Sequence, residues 1–310
     1  MPTLGEVMSG HKTGYDGAFT VDVEDYFHVG AFASVIDPAT WSSYECRVEA
    51  NTRRALEIAA ETRTRGTFFL LGWVAERYPA LVREIADAGH EIGCHSQNHQ
   101  LVYELGPDRF RADLIQSRDI LQDILGSRVS LYRAPSFSIT NDSLWALEIL
   151  IEEGFTTDSS IYPIRHDRYG IPTARLEPHV LQTPSGPITE FPGMVCEWGA
   201  RVPVGGGGYL RLFPWWLTHR LLRRVRAQQR PLNVYIHPWE FDPDQPRVAC
   251  SWKSRFRHYQ NLRTTGFKMQ SLLKAFRLGT MSDVLDGMRL AGDQRSSAKS
   301  APSAANEVTV

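Results

Sequence analysis

Several features are scarce in this chain of 310 residues, and each scarcity excludes a class of protein. There are only four cysteines, Cys46, Cys94, Cys196 and Cys250, and no two of them form a C-x-x-C pair. This spacing argues against a zinc knuckle and against a disulfide framework, so we expect free thiols in a reducing compartment. The formal net charge is −1, so no overall excess of positive charge indicates binding to nucleic acid or to an anionic membrane.

Long apolar runs and nucleotide-binding turns are also missing. No stretch approaches the roughly 18–20 apolar residues that a membrane span needs. Residues 1–17 contain no apolar core of the kind found in secretory signals. We therefore expect a cytoplasmic protein without a transmembrane segment. No G-x-G-x-x-G turn is present, which argues against a dinucleotide-binding crevice.

The rest of the composition, 42% hydrophobic and 22% charged, is typical of a globular protein. Short apolar runs alternate with segments of helical periodicity. The predicted strands are 18–23, 66–71, 91–94, 130–133, 155–158, 188–191 and 233–237, and the predicted helices are 51–62, 73–88, 107–125, 141–153 and 215–228. About seven strands joined by crossover helices predict a parallel α/β barrel.

The domain organisation follows from the same pattern. We predict one catalytic domain over residues 18–290, preceded by a loose arm, 1–17. The polar, Ser- and Ala-rich residues 291–310 are predicted to form a disordered tail. Within the domain, 162–187 is rich in proline and charge, and we expect it to be an extended excursion.

Two histidines four residues apart, His95 and His99, follow the third predicted strand. If this segment is helical, the two rings share one face with about 5–6 Å between Cβ atoms, which suits a single divalent metal ion. A catalytic metal site needs at least one further ligand and an open coordination position. Two histidines at this spacing occur more often by coincidence on a solvated helix than as metal ligands. Other residues must therefore support the prediction of a metal site.

Unusual polar residues stand at the ends of four predicted strands. They are Asp22, Glu24, Asp25, His95, Arg133 and His237. In a parallel barrel the C-terminal ends of the strands meet at one mouth, where active sites form. The sequence therefore predicts one site built from these residues, although each alone could be an ordinary loop, turn or ion-pair residue.

These residue types indicate metal-assisted hydrolysis. Two imidazoles and one carboxylate suit zinc or another first-row divalent ion, which would activate water and polarise a carbonyl group. Asp22 and Glu24 are two residues apart on a strand and point to the same side, so one can bind the metal while the other acts as base.

Three further residues complete this hypothesis. Arg133 can keep a carboxylate ionised and oriented. His237 can protonate the leaving group as general acid. Asp158 can hold that imidazole in its working tautomer and raise its pKa, although an Asx-turn or a helix cap explains Asp158 equally well.

The motifs now resemble those of a known family. In order along the chain they are Gly66–Phe69, Gly89–Gly93, His95-Ser96-Gln97-Asn98-His99, Arg133-Ala134-Pro135 and Tyr235-Ile236-His237. The last three resemble the H-[ST]-x-x-H, R-x-P and L-x-H motifs of the polysaccharide deacetylases of the NodB-homology type, carbohydrate esterase family 4. The resemblance covers roughly 18–238, and the motifs are specific when they occur together.

The resemblance implies a distorted (β/α)7 barrel that removes N-acetyl groups from the amino sugars of an oligo- or polysaccharide. It implies a divalent ion, zinc or else cobalt, nickel or manganese, bound by His95, His99 and one carboxylate. Asp22 then corresponds to the base and His237 to the acid. A backbone N–H near Ser136 would stabilise the oxyanion.

The first motif departs from the family pattern T-F-D-D-G, in which the base and the metal ligand are adjacent. Here the run is Thr20-Val21-Asp22-Val23-Glu24-Asp25. The metal carboxylate is therefore displaced to Glu24, which strand parity favours, or to Asp25. Together with Tyr26-Phe27 and the glycine-rich segment 205–211, this run resembles the subgroup found with bacterial exopolysaccharide and exosortase-type gene clusters.

Substrate contacts and rival functions stay open. Aromatic residues that could offer faces for sugar rings, or equally pack in the core, are Trp198, Tyr209, Trp215, Trp216 and Trp239. One alternative function is an allantoinase-like amidohydrolase that uses the same residues. Another is a non-catalytic carbohydrate-binding relative, which the altered first motif would permit. The oligomeric state is also open.

Overall fold

The computed structural model describes residues 3–7, 14–166 and 168–289, so the tail predicted for 291–310 lies outside the described residues. The strands are β1 (Thr3–Val7), β2 (Gly17–Val23), β3 (Thr67–Leu70), β4 (Glu91–Cys94), β5 (Leu131–Tyr132), β6 (Thr157–Asp158), β7 (His179–Thr183), β8 (Gly186–Glu190), β9 (Val195–Glu197), β10 (Arg201–Pro203), β11 (Leu232–Ile236) and β12 (Leu278–Gly279).

The helices lie mainly between the strands. They are α1 (Val48–Glu61), α2 (Gly72–Arg77), α3 (Pro79–Asp87), α4 (Val102–Leu105), α5 (Pro107–Leu125), α6 (Trp145–Glu152), α7 (Gly207–Leu212), α8 (Trp215–Ala227), α9 (Trp252–Tyr259) and α10 (Thr265–Ala275). A further helix covers 281–289. Across the described residues, no helix combines the length and the apolarity that crossing a lipid bilayer requires.

Seven strands run parallel in the order β8–β6–β5–β4–β3–β2–β11. This confirms the predicted α/β class and the seven strands of the distorted barrel. Between the two end strands, the Asn233 amide of β11 donates to the backbone carbonyls of Phe191 and Pro192, just beyond β8, at 3.4 and 2.9 Å. A side chain therefore bridges this seam.

The parallel strands are recognisable in the sequence because they are buried on both faces. All seven residues of β2 and all four of β3 are buried, and such strands have continuous apolar sequences. The two carboxylates of interest, Asp22 and Glu24, come at the end of β2, so they lie at the C-terminal edge of the barrel strands.

Three predicted elements differ from the structure. The helix predicted for 73–88 is divided into α2 and α3 at Tyr78, because the following Pro79 disfavours a helical conformation at the preceding residue and begins α3 instead. The excursion predicted for 162–187 contains β7, which pairs antiparallel with β8. Part of the arm predicted to be loose, Thr3–Val7, pairs antiparallel with β7.

Candidate metal and catalytic site

His95 and His99 lie in a loop after β4 and not in a helix. Ser96 and His99 have left-handed backbone conformations, with φ of 66° and 51°. The chain turns sharply, and the two imidazole rings converge with their centroids 5.5 Å apart. The helical geometry considered from the spacing is wrong, but a turn brings the two rings together instead.

Helix α5 holds this loop in place. Asp113 accepts hydrogen bonds from the backbone N–H groups of Gln97, at 2.8 Å, and Asn98, at 3.3 Å. Ser117, one helical turn further on, donates to the Ser96 carbonyl at 3.0 Å. The sequence reasoning missed both residues, and their only signal was two polar side chains on the buried face of an amphipathic helix.

Glu24, His95 and His99 each offer a ligand atom, and these atoms lie within 4.8 Å of one another. Glu24 Oε2 is 2.8 Å from His99 Nε2, yet this buried oxygen makes no hydrogen bond of acceptable geometry to a described residue. His95 Nδ1 lies 2.7 Å from the Arg133 carbonyl. A proton on Nδ1 leaves Nε2 free as a ligand, the usual arrangement in metal-binding histidines. This donor set fits a divalent cation.

The pKa values of two of these groups reflect the same arrangement. Burial raises the pKa of Glu24, but the neighbouring imidazoles of His99 and His237 outweigh it and hold the pKa well below its usual range. Burial lowers the pKa of His95 to about 4, so its ring is neutral near pH 7. A carboxylate and a neutral imidazole are the forms that bind a metal ion.

Asp25, the alternative ligand, is committed elsewhere. Its Oδ1 accepts the Tyr26 N–H at 2.8 Å, and its Oδ2 accepts the N–H groups of Arg47 and Val48 at 2.6 and 2.8 Å. The thiol of Cys46 donates to the same oxygen at 3.1 Å. Asp25 therefore holds the beginning of α1, and the structure places Glu24 beside the histidines.

Asp22 forms a buried ion pair with Arg133, with 2.7 Å between Oδ1 and Nη1. Arg133 also donates to Thr20 Oγ1 at 2.7 Å and to Ser159 Oγ at 3.0 Å. These hydrogen bonds offset the cost of burying the guanidinium group. The sequence predicted that Arg133 orients a carboxylate without specifying which one, and the structure pairs it with Asp22. The contacts of Arg133 with Thr20 and Ser159 were not predicted.

His237 closes the site from the last strand. Its Nε2 lies 3.5 Å from Glu24 Oε1 and 3.9 Å from Asp22 Oδ2. Its Nδ1 lies 2.9 Å from Glu240 Oε1. Burial lowers the pKa of His237, but the three surrounding carboxylates outweigh it and raise the pKa to about 9. The imidazole can therefore carry a proton near neutral pH.

Asp158, predicted to orient His237, does not contact it, because its carboxyl group accepts a hydrogen bond from Ser160 and faces Glu190 on β8. Glu240 takes that position, since the 3₁₀ turn Pro238–Phe241 brings its carboxylate back to His237. Glu240 pairs in turn with Arg211, with 2.7 Å between Oε2 and Nε. Burial raises the pKa of Glu240, but Arg211 and His237 outweigh it and lower the pKa to about 2.

The glycine-rich segment allows this pair to form. A Cβ on Gly207 would lie 2.1 Å from Glu240 Oε1, and a Cβ on Gly206 would lie 2.4 Å from the Tyr235 hydroxyl. Nothing lies within 4 Å of a Cβ on Gly208. The backbone of this segment therefore packs directly against Glu240. The absence of a side chain at Gly207 leaves room for the Glu240 carboxylate to contact the candidate acid His237.

The predicted sugar contacts have mixed outcomes. Trp239 is only 4% exposed and stacks on His258, with centroids 4.1 Å apart, so it offers no open face to a sugar ring. Its Nε1 instead donates to Glu24 Oε1 at 3.3 Å. Ser136, with a φ of 55°, turns the chain after Arg133-Ala134-Pro135. Tyr209 lines a separate cavity of about 420 Å³ whose lining includes none of the metal-site residues.

Asp158 faces Glu190, its register neighbour on β8, and both are fully buried. Asp158 Oδ2 and Glu190 Oε2 have no other hydrogen-bond partner among the described residues. Burial raises the pKa of Asp158 to about 6, and burial together with the charge of Asp158 raises the pKa of Glu190 well above its usual range. Burial and the mutual repulsion of the two carboxylates therefore favour retention of one proton by the pair.

We expect Glu190→Gln to preserve this contact, because an amide can donate to Asp158 as the protonated carboxyl group does. Glu190→Leu should lower the free energy of unfolding by about 1–3 kcal/mol, since it leaves the buried Asp158 Oδ2 without a partner. Carboxyl groups with raised folded pKa values stabilise at low pH and lose this contribution as pH rises through the folded pKa. Between pH 5 and pH 9, the melting temperature should therefore fall more steeply with rising pH for the wild type than for Glu190→Gln. Parallel declines in the two proteins would contradict the shared proton.

Comparison with known families places this site in context. Residues 37–150 match the family model described as polysaccharide deacetylase. Residues 159–286 match the model of a domain of unknown function, DUF3473. The first segment contributes β3, β4 and β5 to the barrel, and the second contributes β8 and β11, so both form one sheet.

Curated relatives match parts of the chain. It is 34% identical over 98 residues to a peptidoglycan-N-acetylglucosamine deacetylase of Bacillus cereus, covering 31% of this chain and 36% of that protein. It is 26% identical over 113 residues to a peptidoglycan deacetylase of Helicobacter pylori, covering 36% and 38%. The matched segments thus span little more than a third of these relatives.

A solved structure extends the comparison to the whole chain. The crystal structure titled "putative polysaccharide deacetylase from Mycobacterium smegmatis" aligns over 100% of both chains with a TM-score of 0.62, at 20% sequence identity. This likeness shows a common fold. The family matches and the strand-end motifs lead to one conclusion: the chain contains a polysaccharide deacetylase domain, matched over residues 37–150, followed by a DUF3473 region over residues 159–286.

Proposed function

We propose that this protein is a metal-dependent N-deacetylase that hydrolyses the acetamido groups of amino sugars in an oligo- or polysaccharide. The observation that carries the proposal is the meeting, at one barrel mouth, of the triad Glu24, His95 and His99 with Asp22 and His237. The similarity to peptidoglycan deacetylases supports this substrate class.

Two finer assignments belong to the same proposal. We propose zinc as the ion, because two imidazoles and one carboxylate are a common ligand set of catalytic zinc sites. We propose an exopolysaccharide as the polymer, because the first motif and the glycine-rich segment 205–211 resemble the exopolysaccharide-associated subgroup.

Glu24, His95 and His99 would hold the ion, which when bound would polarise the acetamide carbonyl and lower the pKa of water. Asp22, oriented by Arg133, accepts a proton from the attacking water molecule. At the same time the oxygen of that water bonds to the carbonyl carbon. A backbone N–H near Ser136 donates to the oxyanion that forms.

His237 completes the reaction. As the C–N bond breaks, its Nε2 gives a proton to the departing nitrogen, and the products are acetate and a free amine. The carboxylate of Glu240 at Nδ1 keeps that ring in the tautomer and orientation that this transfer needs. The alternative of a non-catalytic carbohydrate-binding relative is disfavoured. Although the first motif departs from the family pattern, Glu24 supplies the carboxylate beside the two histidines.

Acetate release from N-acetylglucosamine oligomers tests this function. We expect the zinc-loaded protein to release acetate, to lose activity on chelation and to recover it on re-addition of zinc. Asp22→Asn should lower kcat by about 10²-fold or more while the ion stays bound. The exposed Asp123→Asn is the matched control and should behave as wild type. The proposal fails if the zinc-loaded protein deacetylates no N-acetylated glycan, and hydrolysis of allantoin would then favour the amidohydrolase.

A further inference from the structure

Charge is distributed unevenly along the chain despite the net charge of −1. Residues 198–282, called here the basic segment, contain fifteen Arg and Lys against three acidic residues, whereas the rest contains 19 basic and 32 acidic residues. Two of the three acids, Glu240 and Asp242, are buried and paired with Arg211 and Arg47. Asp244 is the one exposed acid of the segment. The overall net charge therefore conceals a strongly basic segment of the chain.

The basic segment also carries most of the exposed large apolar side chains. Of the seven that the described residues contain, six lie in this segment: Trp198, Leu212, Trp216, Trp252, Phe256 and Phe267. On α9, Trp252 is 74% exposed and Phe256 is 55% exposed. They are four residues apart, so they share one face of the helix.

Helix α9 is attached to the protein by its opposite face. His258 is 2% exposed and lies against Phe32 and Trp239, with ring centroids 4.6 and 4.1 Å away. Arg211 donates to the His258 carbonyl at 2.9 Å and so holds the end of the helix. Because Trp239 also donates to Glu24, α9 lies close to the metal site.

The outer face of α9 combines aromatic and basic side chains. Lys253, Arg255 and Arg257 are exposed beside Trp252 and Phe256. The sequence between residues 245 and 282 contains no acidic residue. This is the composition of a short amphipathic helix that lies in the plane of a membrane interface.

We propose that the outer face of α9 docks on an anionic lipid bilayer. Trp252 and Phe256 enter the boundary between headgroups and acyl chains, where aromatic rings concentrate, and the flanking cations contact anionic headgroups. A soluble polyanion would neutralise the cations but leave both aromatic side chains in water. A bilayer explains both the exposed cations and the exposed aromatic side chains. Docking would hold the barrel mouth next to the membrane, and it does not depend on the reaction at the metal site.

Co-sedimentation of the full chain with lipid vesicles tests this proposal. We expect binding at 0.1 M salt to vesicles with about 30% phosphatidylglycerol to be at least about tenfold tighter than to pure phosphatidylcholine. The variants W252S/F256S and K253E/R257E should each weaken it about tenfold. R63E/R83E makes the same change in net charge with exposed residues outside the basic segment, and it should stay within about twofold of wild type.

Thermal unfolding should be the same for all of these variants, because every substituted side chain is exposed. The proposal is overturned if wild type does not prefer anionic vesicles, or if W252S/F256S binds them as tightly as wild type. Binding of dextran sulfate by wild type and W252S/F256S alike, without vesicle binding, would identify the surface as a site for a soluble polyanion.

Discussion

Glu24→Gln is expected to abolish both stoichiometric binding of a divalent ion and acetate release. Glutamine keeps the shape of the side chain and its contact with Trp239, but it removes the negative charge from the oxygen that lies 2.8 Å from His99 Nε2. Since even partners outside the ligand shell change metal affinity about 10–100-fold, loss of a ligand should exceed about 100-fold. Metal analysis after dialysis and calorimetric titration with zinc measure this loss directly.

The neighbouring Asp25→Asn is the matched control, because it makes the same isosteric change one residue away. Asp25 accepts the N–H groups of Tyr26, Arg47 and Val48, so its replacement should cost stability, by about 0.5–2 kcal/mol, as loss of a helix cap does. It should still bind one equivalent of zinc. If Asp25→Asn lost the ion and Glu24→Gln kept it, Asp25 would be the third ligand.

The parallel strands of the barrel could be predicted because burial on both faces makes their sequences continuously apolar, as in Phe68–Leu70. The edge strands could not. β7 has an irregular burial pattern, and its neighbour β1 pairs with it through an irregular register. The division at Tyr78 did have a signal, since the residue before a proline is restricted away from helical conformations.

The strand-end residues of the candidate site were predicted together, because a parallel barrel brings the C-terminal ends of its strands to one mouth. The residues that hold them were missed. Asp113 reaches the 95–99 loop from α5, and Arg211 reaches Glu240 from α7. These contacts depend on which helix packs against which loop, and no spacing in the sequence encodes that. The assignment of Asp158 failed for the same reason, because sequence order did not reveal that Asp158 is paired with Glu190 of β8.

Glu240→Gln is expected to lower kcat by about 10²–10⁴-fold with little change in KM or zinc content. A carboxylate at Nδ1 keeps a catalytic imidazole in its working tautomer and stabilises its cationic form, and an amide does neither. Glu240 is the group within 2.9 Å of His237 Nδ1, and Arg211 fixes it from the other side. Acetate release at saturating N-acetylglucosamine oligomer, with the zinc content measured in parallel, separates this effect from metal loss.

The glycines beneath Glu240 provide an independent test of the same positioning role with no charge removed. A Cβ at Gly207 would lie 2.1 Å from Glu240 Oε1, whereas a Cβ at Gly208 meets nothing within 4 Å. Both residues lie in the first turn of α7, where alanine fits a helical backbone at least as well as glycine, so Gly208→Ala should be fully active and equally or more stable. Gly207→Ala should displace the Glu240 carboxylate from His237 and lower kcat by about 10²-fold, with KM and zinc content unchanged. Full activity of Gly207→Ala, or equal losses in the two variants, would show that the position of Glu240 does not govern His237.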